Sequence, residues 1–266
     1  MPDNRMQAVI NYAARTDYRQ RYFANDHSKD TVVIDPQAMP LADGRAAPPQ
    51  LDAEGFCLVS HRSAVTNFED PAEVAAIYPA EVVALLRAQT GADEVIVTAP
   101  GILRFSESSG RAGSRDNSMP ARFAHVDSTS QTGEGFARRS LPPGRELGRY
   151  AHFNVWRAIT PPPQDVPLAV CDARSVQGED LRIADAIFDP PGQPEWSFES
   201  WLVAANPAHR WVWFPDMTRD EALIFRTSDL TRGMPVPHVA FDNPAAGPDA
   251  PPRASIELRA VAYWYS

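Results

Sequence analysis

His125-Val126-Asp127 brings an imidazole and a carboxylate to one side of the chain, because side chains two apart on a strand point the same way. A second imidazole from a distant strand completes two nitrogens and one carboxylate oxygen on one face of a divalent ion. That ligand set leaves positions open and is the usual home of non-haem Fe(II) in oxygenases. His238, in Pro237-His238-Val239-Ala240-Phe241, is the preferred third ligand, because its strand runs just ahead of Arg253-Ala254-Ser255. His209, between Asn206-Pro207 and Trp211, is the alternative; its ordinary role is packing beside Trp211 and Trp213. His27 and His61 precede the core and are assigned to surface or packing roles. His152 shares a strand face with Asn154 and Trp156 and can line a cavity.

An open metal site needs a co-substrate anchor. Arg253 can grip a carboxylate with a bidentate fork, and Ser255 adds a hydroxyl on the same face. Alternation also places Glu257 and Arg259 there, so Arg259 competes for the anchor role. An Arg–Glu257 ion pair is the structural alternative. Asn154 and Trp156 are expected beside the co-substrate, since a buried amide needs partners that a plain core does not supply. The plain reading of His125 and Asp127 is a polar pair at a strand end. Taken together, these residues predict an Fe(II) site that takes 2-oxoglutarate and O2.

Such residues must be held by strands. Tyr150–Ile159, Leu168–Cys171, Trp196–Ala205, Trp211–Phe214, Ala222–Arg226, Val236–Phe241 and Ser255–Tyr265 all carry β patterning between turn residues, as do Gly55–Val59 and Val95–Thr98. Many short strands with Gly/Pro/Asp connections predict a sandwich or barrel. One helical stretch stands out. Asp70-Pro71-Ala72-Glu73 is a helix start, apolar residues recur at helical spacing to about Gln89, and Gly91 is a stop. Pro79 is expected to split that stretch in two. Residues 105–120 are Ser/Gly/Arg-rich and predict a mobile lid; residues 128–148 read as a polar segment. The expected layout is an extended arm over residues 1–50 and one domain over 51–266, mainly β with flanking helices.

Composition removes several function classes. The net charge is −9 with no basic tract, which disfavours nucleic acid. No apolar run reaches bilayer length, and Met1 to Gln20 is polar, so neither membrane span nor signal peptide is predicted. Cys57 and Cys171 are the only cysteines and form no metal pattern, which predicts a cytoplasmic protein. The expected partner is a small molecule; the arm leaves a homodimer open. A non-catalytic binding scaffold is the rival class. A methyltransferase using S-adenosylmethionine needs a glycine-rich strand–turn–helix motif, which the sequence lacks.

The order of motifs carries a resemblance. Gly55–Val59, His125–Asp127, Asn154–Arg157, Pro167–Asp172, His209–Trp211, Pro237–Phe241 and Pro251–Arg259 follow one another as in the CmcJ/AsaB/NvfI-type hydroxylase/desaturase family of secondary metabolism, from about residue 50 to 264. The resemblance implies a double-stranded β-helix (jelly-roll, cupin-like) core, iron and 2-oxoglutarate. It also implies His125 and Asp127 as the iron-binding pair, with His238 or the His209 segment supplying the third ligand. The chain departs from the family at Ser128-Thr129-Ser130 and in the 105–120 loop, so substrate choice does not carry over.

Overall fold

Two β-sheets face one another, and the strand ends at one side of this sandwich form the site. The computed structural model describes residues 6–190, 192–229 and 231–265. The tip of the expected arm (residues 1–5), Pro191 of the Pro190-Pro191 pair, Leu230 and Ser266 lie outside the described residues.

The chain opens with β1 (Met6–Ala13), β2 (Gln20–Phe23), β3 (Ile34–Asp43) and β4 (Phe56–Ser60), then α1 (Pro71–Thr90). β5 (Glu94–Val97), β6 (Ile102–Phe105) and β7 (His125–Val126) lead to α2 (Ser130–Ser140). Then come β8 (Arg149–Ala158), β9 (Leu168–Cys171), β10 (Leu181–Phe188) and β11 (Trp196–Val203). β12 (Trp211–Trp213), β13 (Glu221–Asp229), β14 (His238–Ala240) and β15 (Ala254–Trp264) complete it. The larger sheet has the order β1-β3-β12-β9-β14-β7-β11-β10-β2. The smaller has the order β4-β13-β8-β15-β5, with β6 also on β15. This is the mainly β double-stranded β-helix with flanking helices that the sequence predicts.

Several local expectations change. The described part of the arm supplies β1, β2 and β3 to the larger sheet itself. Polar composition hid the pattern: Ala8, Ile10 and Tyr12 alternate into the interior, while Gln7, Val9 and Asn11 do not. Pro79 lies inside one continuous α1. A proline there costs roughly 3 kcal/mol. Val74, Tyr78, Val82 and Leu86 outweigh it by burying one stripe against the outer face of β8 and β15. The ends of α1 are as expected, with the Asp70 carboxylate accepting from Ala72 N at 2.9 Å and Gly91 left-handed at φ 65°. The segment 128–148 contains α2, whose cap is Thr129: its hydroxyl accepts from Thr132 N at 3.2 Å. Ser128-Thr129-Ser130 therefore marks a helix start. The 105–120 loop is pinned rather than free. Ser106 donates to Asp165 at 2.9 Å, and Arg111 pairs with Glu69 and lies 4.0 Å from the Phe105 ring centroid.

Candidate metal centre

His125 on β7 and His238 on β14 are direct cross-strand partners. Opposite residues of a sheet share a face, so pairing alone aims both rings inward. Their centroids lie 4.2 Å apart. Asp127 follows two residues after His125. Its Oδ1 lies 3.9 Å from Nε2 of each histidine, and one ligand atom from each of the three residues falls within 4.8 Å of the others. At 3.9 Å neither imidazole hydrogen-bonds the carboxylate. The far side of each ring explains why: His125 Nδ1 is 3.0 Å from Phe123 O and His238 Nδ1 is 3.4 Å from Val236 O. A carbonyl only accepts, so a neutral ring carries its proton on Nδ1 and presents the Nε2 lone pair to the centre.

The electrostatics agree with a cation site. Burial pushes the His125 imidazole down to about 3, helped by His238 and opposed by Asp127. Burial lowers His238 as well. Burial alone would raise the Asp127 carboxyl, but the Arg259 guanidinium and the two histidines hold it well below the usual carboxylate range. Two neutral imidazoles and one ionised carboxylate are the donors that a divalent transition metal takes.

The opposite sheet positions the carboxylate. Asn154 on β8 and Arg259 on β15 are also cross-strand partners. Asn154 Nδ2 donates to Asp127 Oδ2 at 2.6 Å, and Arg259 Nη2 donates to Asp127 Oδ1 at 2.9 Å. Arg259 Nε also holds Glu257 at 2.9 Å. One sheet thus carries the imidazoles and the other fixes the acid. Arg253 lies deeper: Nε donates to Val166 O at 2.7 Å, Nη1 donates to Ser255 Oγ, and its guanidinium is 5.9 Å from the Trp156 ring centroid. His209 is elsewhere. Its Nε2 lies 3.1 Å from Asp180 and its Nδ1 3.0 Å from the Tyr12 hydroxyl, in a closed cluster. Of the two candidate third ligands, only His238 adjoins the His125–Asp127 pair. His152 borders the large cavity and hydrogen-bonds Gly133 O at 2.8 Å.

Two cavities meet at Asp127 and Arg259. A small one of about 40 Å³ is bordered by Tyr22, Arg104, Phe123 and His125. A large one of about 840 Å³ has Asn154 and His152 on its floor and Phe136, Phe188, Trp196 and Phe198 as a wall. Phe188 and Trp196 stack at 4.3 Å, and Phe136 meets Phe198 edge-on at 5.1 Å. Sequence reasoning missed Arg104 and, apart from Trp196 as a residue that could shape the pocket mouth, this wall. Arg104 had a signal: a lone arginine inside the apolar run Ile102-Leu103-Arg104-Phe105. Of the wall, Trp196 and Phe198 lie on the predicted strand Trp196–Ala205, whereas Phe188 lies on β10 and Phe136 on α2, which the sequence did not show.

The comparisons with known proteins follow the same lines. Residues 8–263 match the family described as "Oxidoreductase/YMDC permease-like domain". The hydroxylase/desaturase efuI of Hormonema carpetanum is 31% identical over 236 residues, covering 80% of this chain and 78% of that one. The hydroxylase/desaturase CTB9 of Cercospora beticola is 33% identical, covering 80% and 72%. The Fe(II)/2-oxoglutarate-dependent dioxygenase nvfI of Aspergillus novofumigatus is 30% identical, covering 73% and 69%. A solved structure of the iron and alpha-ketoglutarate-dependent endoperoxidase NvfI superposes with a TM-score of 0.81 over the full length of both chains at 23% identity, which establishes the shared fold. With this fold and these relatives, the chain belongs to the hydroxylase/desaturase family that includes Fe(II)/2-oxoglutarate-dependent dioxygenases.

Proposed function

We infer that this protein oxidises a small-molecule substrate as an Fe(II)/2-oxoglutarate-dependent oxygenase, with His125, Asp127 and His238 as the metal's protein ligands. The observation that carries the reading is the convergence of two buried imidazole lone pairs on one partly buried carboxylate without a hydrogen bond among them. Buried polar groups normally find partners, so donors left facing each other call for a cation between them. When bound, Fe(II) with 2-oxoglutarate and O2 supplies an oxidant able to attack an unactivated C–H bond, 2-oxoglutarate leaving as succinate and CO2.

The chain's own part is placement. Arg259 and Asn154 keep Asp127 ionised and turned toward the histidines. Arg253 with Ser255 is assigned to the far carboxylate of 2-oxoglutarate, and Trp156 backs the guanidinium. The aromatic wall of the large cavity takes the apolar body of the substrate and excludes water beside the centre. Hydroxylation, desaturation or another oxidation then follows from which substrate carbon lies nearest Asp127. Cytoplasmic action belongs to the same reading, supported by the two free cysteines.

The test is spectroscopic. Under anaerobic conditions the protein with Fe(II) and 2-oxoglutarate should develop a weak visible charge-transfer band, absent in His125→Ala. No band in the wild type at saturating metal would favour the non-catalytic scaffold. A variant pair addresses the third ligand: His238→Ala should lose iron and His209→Ala should keep it. The reverse outcome would reassign the site.

A further inference from the structure

Arg104 on β6 stands directly across from Ser255 on β15. Cross-strand partners share a face, and this face is the inward one, since Ser255 alternates with Glu257 and Arg259. Arg253 reaches the same serine from its own strand, its Nη1 donating to Ser255 Oγ. Ser255 is thus flanked by two arginines, Arg253 through a hydrogen bond to its hydroxyl and Arg104 through strand register.

Their direct hydrogen-bond partners are neutral. Arg104 Nη1 donates to the Met119 carbonyl at 2.5 Å, and Arg253 Nε donates to the Val166 carbonyl. Among the described residues neither guanidinium forms an ion pair, whereas Arg259 has both Asp127 and Glu257. A buried cation and a half-buried one with neutral hydrogen-bond partners repel, and an anion between them removes the penalty. The strain shows in Arg253, whose guanidinium is pushed down to about 10, by burial first and by Arg104 next. Arg104 also borders the small cavity that begins at His125 and Asp127, which places it on the metal side of Ser255.

We propose that Arg104 is the second arm of a carboxylate clamp: Arg104 and Arg253, with Ser255 between them, hold the distal carboxylate of 2-oxoglutarate. Arg259, already committed to Asp127 and Glu257, serves the metal ligand instead. The proposal rests on the oxygenase reading above and differs from it in naming which cations read the dicarboxylate.

The experiment is an anaerobic calorimetric titration of the Fe(II)-loaded protein with 2-oxoglutarate and, separately, with 2-oxopentanoate, which lacks the distal carboxylate. A charge-assisted contact predicts that Arg104→Met weakens 2-oxoglutarate at least about 10-fold. It should weaken 2-oxopentanoate less than about threefold, and Arg104→Lys should fall between wild type and Arg104→Met. Fe(II) affinity, titrated without keto acid, should stay within about threefold of wild type and certifies the fold; if Arg104→Met does not fold, Arg104→Lys with the same two ligands decides. Equal weakening of both keto acids, or unchanged 2-oxoglutarate binding, would overturn the clamp. Wild-type protein that binds metal but neither keto acid would sink the oxygenase reading along with it.

Discussion

Two buried regions of this molecule contain the same side-chain types and do opposite things. At one, His209 hydrogen-bonds Asp180 at 3.1 Å and Tyr12 at 3.0 Å, and Trp211 Nε1 donates to the Tyr12 hydroxyl at 2.6 Å. Every polar atom of that histidine is answered. At the other, His125 and His238 each stop 3.9 Å from Asp127, with their remaining nitrogens tied to backbone carbonyls. The first region holds β1 against β12, where Tyr12 and Trp211 belong to one core cluster. The second leaves both Nε2 atoms without a protein hydrogen-bond partner, as the proposed metal site requires. A histidine and an aspartate do not define a metal site; the proposed one rests on two Nε2 lone pairs that have no protein hydrogen-bond partner beside a carboxylate.

The comparison breaks most visibly by deleting one imidazole from each region. His125→Ala or His238→Ala should lower divalent-metal affinity by more than about 100-fold, beyond the effect usual for residues outside the ligand set. Stability of the metal-free protein should fall as well, because each deletion removes a buried ring and the bond from its Nδ1 to a backbone carbonyl; only Nε2 had no hydrogen bond to lose. His209→Ala should cost stability without costing metal. Asp180 is left buried beside an empty space, which costs about 3 kcal/mol, while metal affinity stays within about threefold. Anaerobic metal titration and denaturant unfolding on the same three variants decide it. If His209→Ala is the one that loses metal, the assignment of the two regions is inverted.

A smaller effect separates the two sheets. Asn154→Leu removes the Nδ2 donor 2.6 Å from Asp127 and keeps the volume. A partner that orients a ligand is worth roughly 10- to 100-fold in metal affinity, so a loss in that range is expected. Tyr12→Phe is the matching change in the closed cluster. It strips the hydroxyl that bridges His209 and Trp211 and should cost about 2 kcal/mol of stability, with metal binding intact. Equal metal affinity in Asn154→Leu and wild type would mean that Arg259 alone sets the carboxylate.

The strands that carry the site were legible because they are short, apolar and bounded by turn residues. β8, β9 and β15 lie within a residue or two of where alternation places them. His125, Asp127 and the choice of His238 over His209 followed from spacing and order along the chain. What stayed hidden depends on pairing between distant segments. That His125 and His238 are cross-strand partners is a property of β7 and β14, two strands 112 residues apart in the chain, and no local pattern encodes it. β1 to β3 escaped because residues 1–50 are polar and Pro/Ala-rich overall, and exposed apolar residues such as Val9 and Ile34 blur the alternation. Pro79 misled, because a proline's local cost was outweighed by four buried side chains at helical spacing. Arg259 was read as a rival anchor for the co-substrate, since alternation gives the face of a side chain but not the atom it meets.

The finest test uses the one property both regions share, a neutral buried imidazole. Burial lowers His125 to about 3 and pushes His209 down too. In the unfolded chain each titrates near the usual value, about 6.5. Below that pH the unfolded state binds a proton that the folded state refuses, so stability rises with pH and is lost as pH falls from about 6.5 toward the folded value. Asp127 does not interfere. Its folded pKa is depressed, so its contribution is present above about 3.9 and is lost only below that. Between pH 6.5 and 5, His125→Gln and His209→Gln should therefore each flatten the stability-versus-pH slope of the metal-free protein by up to about 1.4 kcal/mol per pH unit, as urea unfolding would record. The variants then part company. Protons and metal compete for the same Nε2 in His125 but not in His209, so only His125→Gln should alter the pH dependence of metal binding. An unchanged stability slope in His125→Gln would mean the folded ring is already protonated, and a protonated imidazole has no lone pair to give.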